Sequence, residues 1–198
     1  ADSQADIFIS VDAGKLQKAA SLDLLRKLSY DIKTDEISST LLDKDNFWVP
    51  LTYRARILVY SNDRVNVNDL DSYESLSDEK WKKRILVRSS SNAYNQALMA
   101  SVIANNGIDG AKKWSQGVVE NLARSPKGND RDQVKAIYAG LGDVAIVNSY
   151  YIGLLLSSEK DEERKAGEAV SVFFPNQGEI QRGTHINISG MGITKNAP

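Results

Sequence analysis

The stretch DVAIVNSYYIG, residues 143–153, reads as a short buried strand, a polar turn and the start of a helix at about Tyr150. A second stretch, RILVRSSSNAYNQ at residues 84–96, has the same build, with a helix that starts at about Ala93. Strands that alternate with helices in this way are typical of α/β domains. The sequence therefore predicts an α/β fold with a mainly parallel sheet.

Other apolar and periodic segments extend this pattern on both sides. Asp130 and Gln133 stand at the separation of a capping box, so Asp130 is expected to begin a helix that ends at Gly140. A helix from Ala93 is expected to stop at about Gly107, and another to follow from about Asp109. Further strands are expected at residues 6–11, 56–60, 170–174 and 186–194, and a charged helix at 159–168.

Composition limits the classes of function that this chain can serve. Its 198 residues are 41% apolar, carry a net charge of −1 and include no cysteine. We therefore expect no nonspecific attraction to nucleic acid, no thiolate metal site and no membrane insertion, because no apolar run approaches the length of a bilayer span. An enzyme with a nucleophile at residues 89–91 would need a general base, and none can be named, so we predict that the protein is not an enzyme.

Tyrosines follow both strands of the two deciding stretches. Tyr94, Tyr150 and Tyr151 all come just after the carboxyl end of a strand, where open α/β sheets bind their ligands. A phenol ordinarily has a pKa of about 10, so it becomes a good ligand at neutral pH only for a strongly charged cation such as Fe(III). Zinc usually recruits His or Cys, and calcium and magnesium usually recruit carboxylates. The alternative is that one tyrosine of the pair belongs to the core and the other to the surface.

Polar residues at the first junction suggest an anion as well as a metal. Ser89, Ser90, Ser91 and Asn92 precede the helix, where free backbone N–H groups and the positive helix end attract negative charge. Arg54 can hold an anion or offset the charge of phenolates. Plain helix capping and an ordinary salt bridge are the alternative interpretations. This pattern gives a second candidate function, a binding protein for a small organic anion or a metal chelate.

Seven strings along the chain carry a resemblance to a known family. They are ADIFISVDAG (5–14), PLTYRARILVYS (50–61), RSSSNAYNQALMASVIA (88–104), GNDRDQVKAIYAG (128–140), GDVAIVNSYYIG (142–153), FFPNQ (173–177) and GTHINISGMGITKNAP (183–198). In these strings the chain resembles the FbpA/FutA-type ferric-iron-binding proteins, the substrate-binding subunits of iron ABC transporters. The resemblance implies a type II periplasmic-binding-protein fold, with two lobes around a cleft.

The resemblance also implies roles for single residues. Tyr150 and Tyr151 match the paired iron-binding tyrosines, and Tyr94 matches a further tyrosine ligand of one branch of the family. Arg54 matches an arginine near the iron, and Asp12 falls near the site in the first lobe. A synergistic anion such as carbonate is implied as a further component of some sites.

The resemblance further implies how the chain is organised and where it works. Residues 1–52 and 180–198 would form a partial first lobe that lacks its N- and C-terminal parts, and residues 53–179 would form the second lobe. The expected function is extracytoplasmic, periplasmic binding of ferric iron by a monomer that delivers it to an ABC transporter permease. Iron would bind the tyrosines first, and closure of the lobes would follow.

Overall fold

The computed structural model describes residues 4–29 and 37–198. Within them the chain forms two compact units, one from residues 1–54 with 186–198 and the other from residues 55–185. The sequence placed the boundaries after residues 52 and 179, and the interpretation of the two units as lobes stays a prediction. The strands are β1 (Ile7–Ser10), β2 (Val49–Ser61), β3 (Ile85–Leu86), β4 (Val144–Asn148), β5 (Val170–Phe173) and β6 (Ile186–Ile193). The α-helices are α1 (Ala13–Ser21), α2 (Ala93–Glu120), α3 (Asp130–Tyr138), α4 (Tyr150–Leu156) and α5 (Asp161–Glu168).

The first unit is built on an antiparallel pair of strands. β1 pairs with β6, and α1 lies against them with Leu16 and Ala19 buried. Leu25, Trp48 and Ile188 complete this small core. Leu16 and Ala19 are three residues apart and therefore lie on the same face of the helix, so α1 buries a single narrow stripe.

The second unit contains a sheet that mixes strand directions. β3 and β4 run parallel, whereas β2 pairs antiparallel with both β4 and β5. The prediction of a mainly parallel sheet is therefore wrong for the described residues. Alternation of strands and helices indicates crossover connections, but it does not fix the direction in which β2 enters the sheet.

Both faces of this second sheet are covered. All five residues of β4 are buried, and their side chains alternate between two apolar clusters. Leu58 and Ile146 belong to one cluster, and Ile57 and Val147 belong to the other. Successive side chains of a strand point to opposite faces, so continuous apolar strands of this kind indicate a sheet with a core on each side.

The predicted helix end near Gly107 is confirmed, because its backbone, with φ 71° and ψ 172°, is not helical and divides α2 into two helical segments at a kink. The cap of α3 differs from the prediction. The capping box of α3 is formed by Asn129 and Asp132, not by Asp130 and Gln133. Asp130 is thereby left free to make contacts away from its own helix end. Among the described residues no helix is long and apolar enough to cross a membrane.

Candidate metal centre

The tyrosines lie at the starts of two helices that follow neighbouring strands. Asn92 caps α2 by accepting a hydrogen bond from the backbone N–H of Tyr94 at 3.0 Å, and Tyr150 is the first residue of α4. The strands that precede these helices, β3 and β4, pair in parallel, Ile85 with Val144. Parallel strands end at the same edge of a sheet, so both junctions come to one place in the second unit, as the sequence predicted.

Tyr150 and Tyr151 point in similar directions although they are neighbours in a helix. Their ring centroids are 4.3 Å apart, and the ring planes are inclined by 37°. Irregular backbone at the helix start does not explain this, because Ser149, which precedes the pair, already has helical φ and ψ. The side chains, not the backbone, therefore bring the two rings together. Tyr150 is 40% exposed, so its hydroxyl remains accessible to a solute.

The hydroxyl of Tyr150 is the meeting point of the cluster. Burial raises the pKa of Tyr150, and a hydrogen bond with the Tyr151 side chain raises it further. Hydrogen bonds with the side chains of Asn148 and Tyr94 act in the opposite direction and lower the pKa, but they do not outweigh burial. These interactions put Tyr94, Tyr150 and Tyr151 within reach of one point. Because the pKa of Tyr150 is raised, this phenol keeps its proton at neutral pH until a cation displaces it.

Two arginines flank the ring of Tyr94. The guanidinium carbon of Arg88 lies 5.5 Å from the ring centroid, and that of Arg56 lies 5.9 Å from it. Both distances are within the range in which a cation is attracted to an aromatic face. The Arg56 guanidinium also donates to Asn95 Oδ1 at 2.8 Å, and the Asn95 amide donates to the Arg88 carbonyl oxygen at 2.9 Å. The two guanidinium groups that contact the ring of Tyr94 are therefore linked to each other through Asn95.

A buried carboxylate balances part of the arginine charge. Asp130 has no exposed surface and accepts hydrogen bonds from both Arg56 and Arg88. The backbone N–H of Asn148 donates to the same carboxylate at 2.8 Å. The two guanidinium groups and one carboxylate together carry a net charge of about +1, which favours negative charge on nearby phenol oxygens.

The serine-rich turn satisfies many of its own hydrogen bonds. The hydroxyls of Ser89 and Ser91 are 2.8 Å apart, and the Ser91 N–H donates to Ser89 Oγ. Ser90 is exposed and Asn92 acts as the helix cap. The turn lies beside Tyr94 because it directly precedes that residue in the chain. The contact of the Asn92 side chain with the Tyr94 N–H is explained by helix capping.

The remaining predicted residues, Arg54 and Asp12, belong to the first unit. Arg54 donates to the carbonyl oxygen of Val11 and to Ser189 Oγ at 3.3 Å. Asp12 caps α1 through the Lys15 N–H and accepts a hydrogen bond from the Asn187 amide at 2.9 Å. Each therefore has a local structural role in its own unit, and their roles near iron stay predictions.

Several residues of the tyrosine site were missed from the sequence. Arg56 and Arg88 are the arginines that contact Tyr94, and Asp130 and Asn148 join them. One signal was available, since Arg56 directly precedes the apolar run Ile57–Val59, and a charge buried with such a run needs a partner. Asp130 had no such signal, because its partners are far away in the chain.

The donor chemistry of the site differs from that of ordinary carboxylate or histidine metal sites. Among residues 4–29 and 37–198 there is no group of three or more His, Cys, Asp or Glu side chains placed to hold a metal ion. The clustered groups of the second unit are phenol oxygens. Oxygen donors of this kind suit a hard, highly charged cation.

Known proteins resemble the chain over its whole length. Iron uptake protein A2 of Synechocystis is 48% identical over all 198 residues, and the chain spans 57% of that protein's length. The solved apo structure of Synechocystis FutA2 superposes with a TM-score of 0.95, covering 100% of this chain and 63% of that one. A Trichodesmium FutA structure in complex with iron and citrate is 44% identical, with a TM-score of 0.94, and covers 100% of this chain and 62% of that one.

These structural matches confirm the predicted α/β fold of type II periplasmic binding proteins. The chain spans less than two thirds of each of these relatives, so it corresponds to a part of their fold. The model of the bacterial extracellular solute-binding protein family matches residues 2–196. Since that match takes in nearly every residue, the chain belongs to the bacterial extracellular solute-binding protein family.

Proposed function

We propose that the protein containing this chain binds Fe(III) outside the cytoplasm and delivers it to the permease of an ABC transporter. Tyr94, Tyr150 and Tyr151 are the proposed ligands. The observation that carries the proposal is the convergence of these side chains on the Tyr150 hydroxyl. The names of the Synechocystis and Trichodesmium relatives, which refer to iron, support the choice of metal.

The proposed binding step exchanges protons for iron. Fe(III) carries enough charge to displace phenol protons, and three phenolates would balance its charge of +3. Arg56 and Arg88, both close to the ring of Tyr94, favour the phenolate form of the site over the neutral phenol. Acid or reduction of the iron would reverse the step, because protons compete for the phenolates and Fe(II) attracts them less.

The remaining parts of the proposal follow from family membership. A solute-binding role supports the prediction that the protein is not an enzyme and that its partner is a permease. The family's extracellular description supports a periplasmic location. We further propose that the protein acts as a monomer, and that a small anion such as carbonate can occupy coordination positions left by the tyrosines.

Binding of a small organic anion or a metal chelate is the second candidate function. The Trichodesmium relative was solved with both iron and citrate, so an iron chelate is a reasonable cargo for a protein of this kind. In the second unit such a ligand would use the α2 start at Ser89–Asn92. This second candidate function predicts that the anion alone raises the stability of the protein against unfolding, without coordination by tyrosinates.

A visible absorption titration with Fe(III)–citrate tests both candidates in the full-length protein. Tyrosinate coordination should give an orange to red charge-transfer band that saturates at about one iron per chain. The Tyr150→Phe, Tyr151→Phe double variant should lose the band. Wild-type iron affinity in this double variant would refute the ligand assignment, and stabilisation by citrate without any band would favour the second candidate.

A further inference from the structure

We infer that Asp130 is a positioning residue that fixes the two tyrosine-bearing junctions relative to each other. The inference rests on the proposed function in that the tyrosines are taken as the iron ligands. It adds a residue that contacts none of them directly. Its role is to hold the strand ends from which the tyrosines project.

The carboxylate of Asp130 joins three segments of the second unit. Its Oδ2 atom accepts from Arg56 Nη1 and from the backbone N–H of Asn148, the latter at 2.8 Å. Its Oδ1 atom accepts from Arg88 Nη1 at 3.2 Å. Arg56 lies inside β2, Arg88 is two residues after the end of β3, and Asn148 is the last residue of β4. One side chain therefore ties together the middle of β2 and the ends of β3 and β4.

Each of these donors is next to a tyrosine in the chain or in space. Asn148 is two residues before Tyr150 in the chain, and its backbone N–H donates to the Asp130 carboxylate at 2.8 Å, at the end of the strand that leads into α4. Arg56 and Arg88 both lie against the ring of Tyr94. Movement of the Asp130 carboxylate would thus be transmitted to both sides of the tyrosine cluster.

The position of Asp130 in its own helix is consistent with this role. It is the first residue of α3, where Asn129 supplies the cap and Asp132 completes the capping box. Asp130 is thus not required to cap the helix. Its complete burial is explained by the two arginines, because a buried carboxylate is strongly unfavourable without charged partners. Removing its charge would leave two guanidinium groups facing each other without a counter-ion.

The chain offers a matched control at the other end of β4. Asp143 directly precedes β4 and also joins two arginines, with Arg64 Nε at 2.6 Å from Oδ1 and Arg84 Nε at 2.7 Å from Oδ2. It therefore has the same chemistry as Asp130, one carboxylate between two guanidinium groups. Four residues of β4 lie between it and Asn148, so the two residues are about 16–17 Å apart along the strand.

The experiment compares Asp130→Asn with Asp143→Asn in the full-length protein, below the unfolding temperature of both variants. Two readouts are used, the charge-transfer band with its Fe(III) affinity, and proton–proton contacts by NMR of the iron-free protein between the hydrogen-bonded phenol ends of the Tyr94 and Tyr150 rings. Asp130→Asn should weaken Fe(III) binding by about 10- to 100-fold, the usual effect of losing a group that orients metal ligands, and shift the band. It should also remove the ring contacts. Asp143→Asn should lose stability but keep the band, the affinity and the contacts.

The outcomes separate this inference from the proposed function. If the wild-type protein binds no iron but Asp130→Asn still removes the ring contacts, the positioning role stands and the iron proposal fails. If Asp130→Asn keeps both the ring contacts and the wild-type band, Asp130 does not position the tyrosines. Equal effects of the two variants on every readout would overturn the inference as well, because a general loss of stability would then explain both.

Discussion

Replacement of Tyr150 by Phe should separate iron binding from stability. In the iron-free protein the change should cost less than about 1 kcal/mol, because Tyr150 is 40% exposed and the net contribution of a single hydrogen bond to stability is small. Tyr138→Phe is the matched control, since Tyr138 is 46% exposed and lies at the end of α3. Both variants should therefore fold and unfold much like the wild-type protein when no iron is present.

With iron present the two variants should differ. At a free Fe(III) concentration about 100 times Kd, binding stabilises the wild-type protein by about 2.7 kcal/mol. If loss of the Tyr150 oxygen raises Kd about 100-fold, the same iron concentration stabilises the variant by only about 0.4 kcal/mol. The missing 2.3 kcal/mol corresponds to a Tm lower by about 5–9 °C for a domain of this size.

Thermal unfolding with and without a buffered Fe(III)–citrate solution measures this difference, and the visible band provides a second readout. Tyr138→Phe should keep the full increase in Tm, whereas Tyr150→Phe should lose most of it. An equal iron-induced increase in the two variants would show that Tyr150 is not a ligand. It would also remove the reason for treating the tyrosine cluster as the metal site.

Three further changes test the framework of the second unit. Gly107→Ala should destabilise the protein by about 1–3 kcal/mol, because the backbone there is in a region that only glycine adopts readily. Steric overlap would not contribute, since the added Cβ would meet no atom within 4 Å. Urea denaturation measures the loss of stability. Ile137→Ala should cost about 2–5 kcal/mol by the same assay, since the side chain is completely buried. Burial works to raise the pKa of Asp143, but hydrogen bonds from Arg64 and Arg84 outweigh it and lower the pKa. The carboxylate therefore stabilises the protein above its unfolded pKa of about 3.9, and this stabilisation is lost as the pH falls through the lower folded pKa. The free energy of unfolding of Asp143→Asn should therefore be lower than that of the wild type at pH 7, and the two should converge in strong acid. Convergence already at pH 7 would contradict the ion-pair argument.

Local patterns in the sequence were sufficient to find the two junctions. The apolar run before Asn148 and the serine-rich turn after Arg88 mark strand ends, and both were observed as strands followed by helices. The burial of β4 agrees with its composition, because an uninterrupted apolar run such as Val144–Val147 is typical of a strand with a core on both faces. The placement of Tyr94 and Tyr150 at one sheet edge then required only that β3 and β4 be parallel neighbours.

Contacts between distant segments could not be found in this way. Asp130 and Arg56 are 74 positions apart, and nothing in the residues around Asp130 distinguishes a buried ion pair from a helix cap. The antiparallel direction of β2 is likewise decided by a register with β4 that pairs Arg56 with Asn148. Local hydrophobic periodicity reports which residues are buried, whereas strand direction and ion-pair partners depend on the tertiary arrangement.

The distribution of the tyrosine site within the chain has a consequence for binding. Tyr94, Tyr150 and Tyr151 all lie in residues 55–185, and the residues that hold them belong to the same unit. They are supported by backbone hydrogen bonds, a buried ion pair and the packed β4, so the proposed ligands are ordered during folding and not during binding. If they are the iron ligands, the site should bind iron with little rearrangement of its own unit. Any large conformational change on binding would then have to arise elsewhere in the protein.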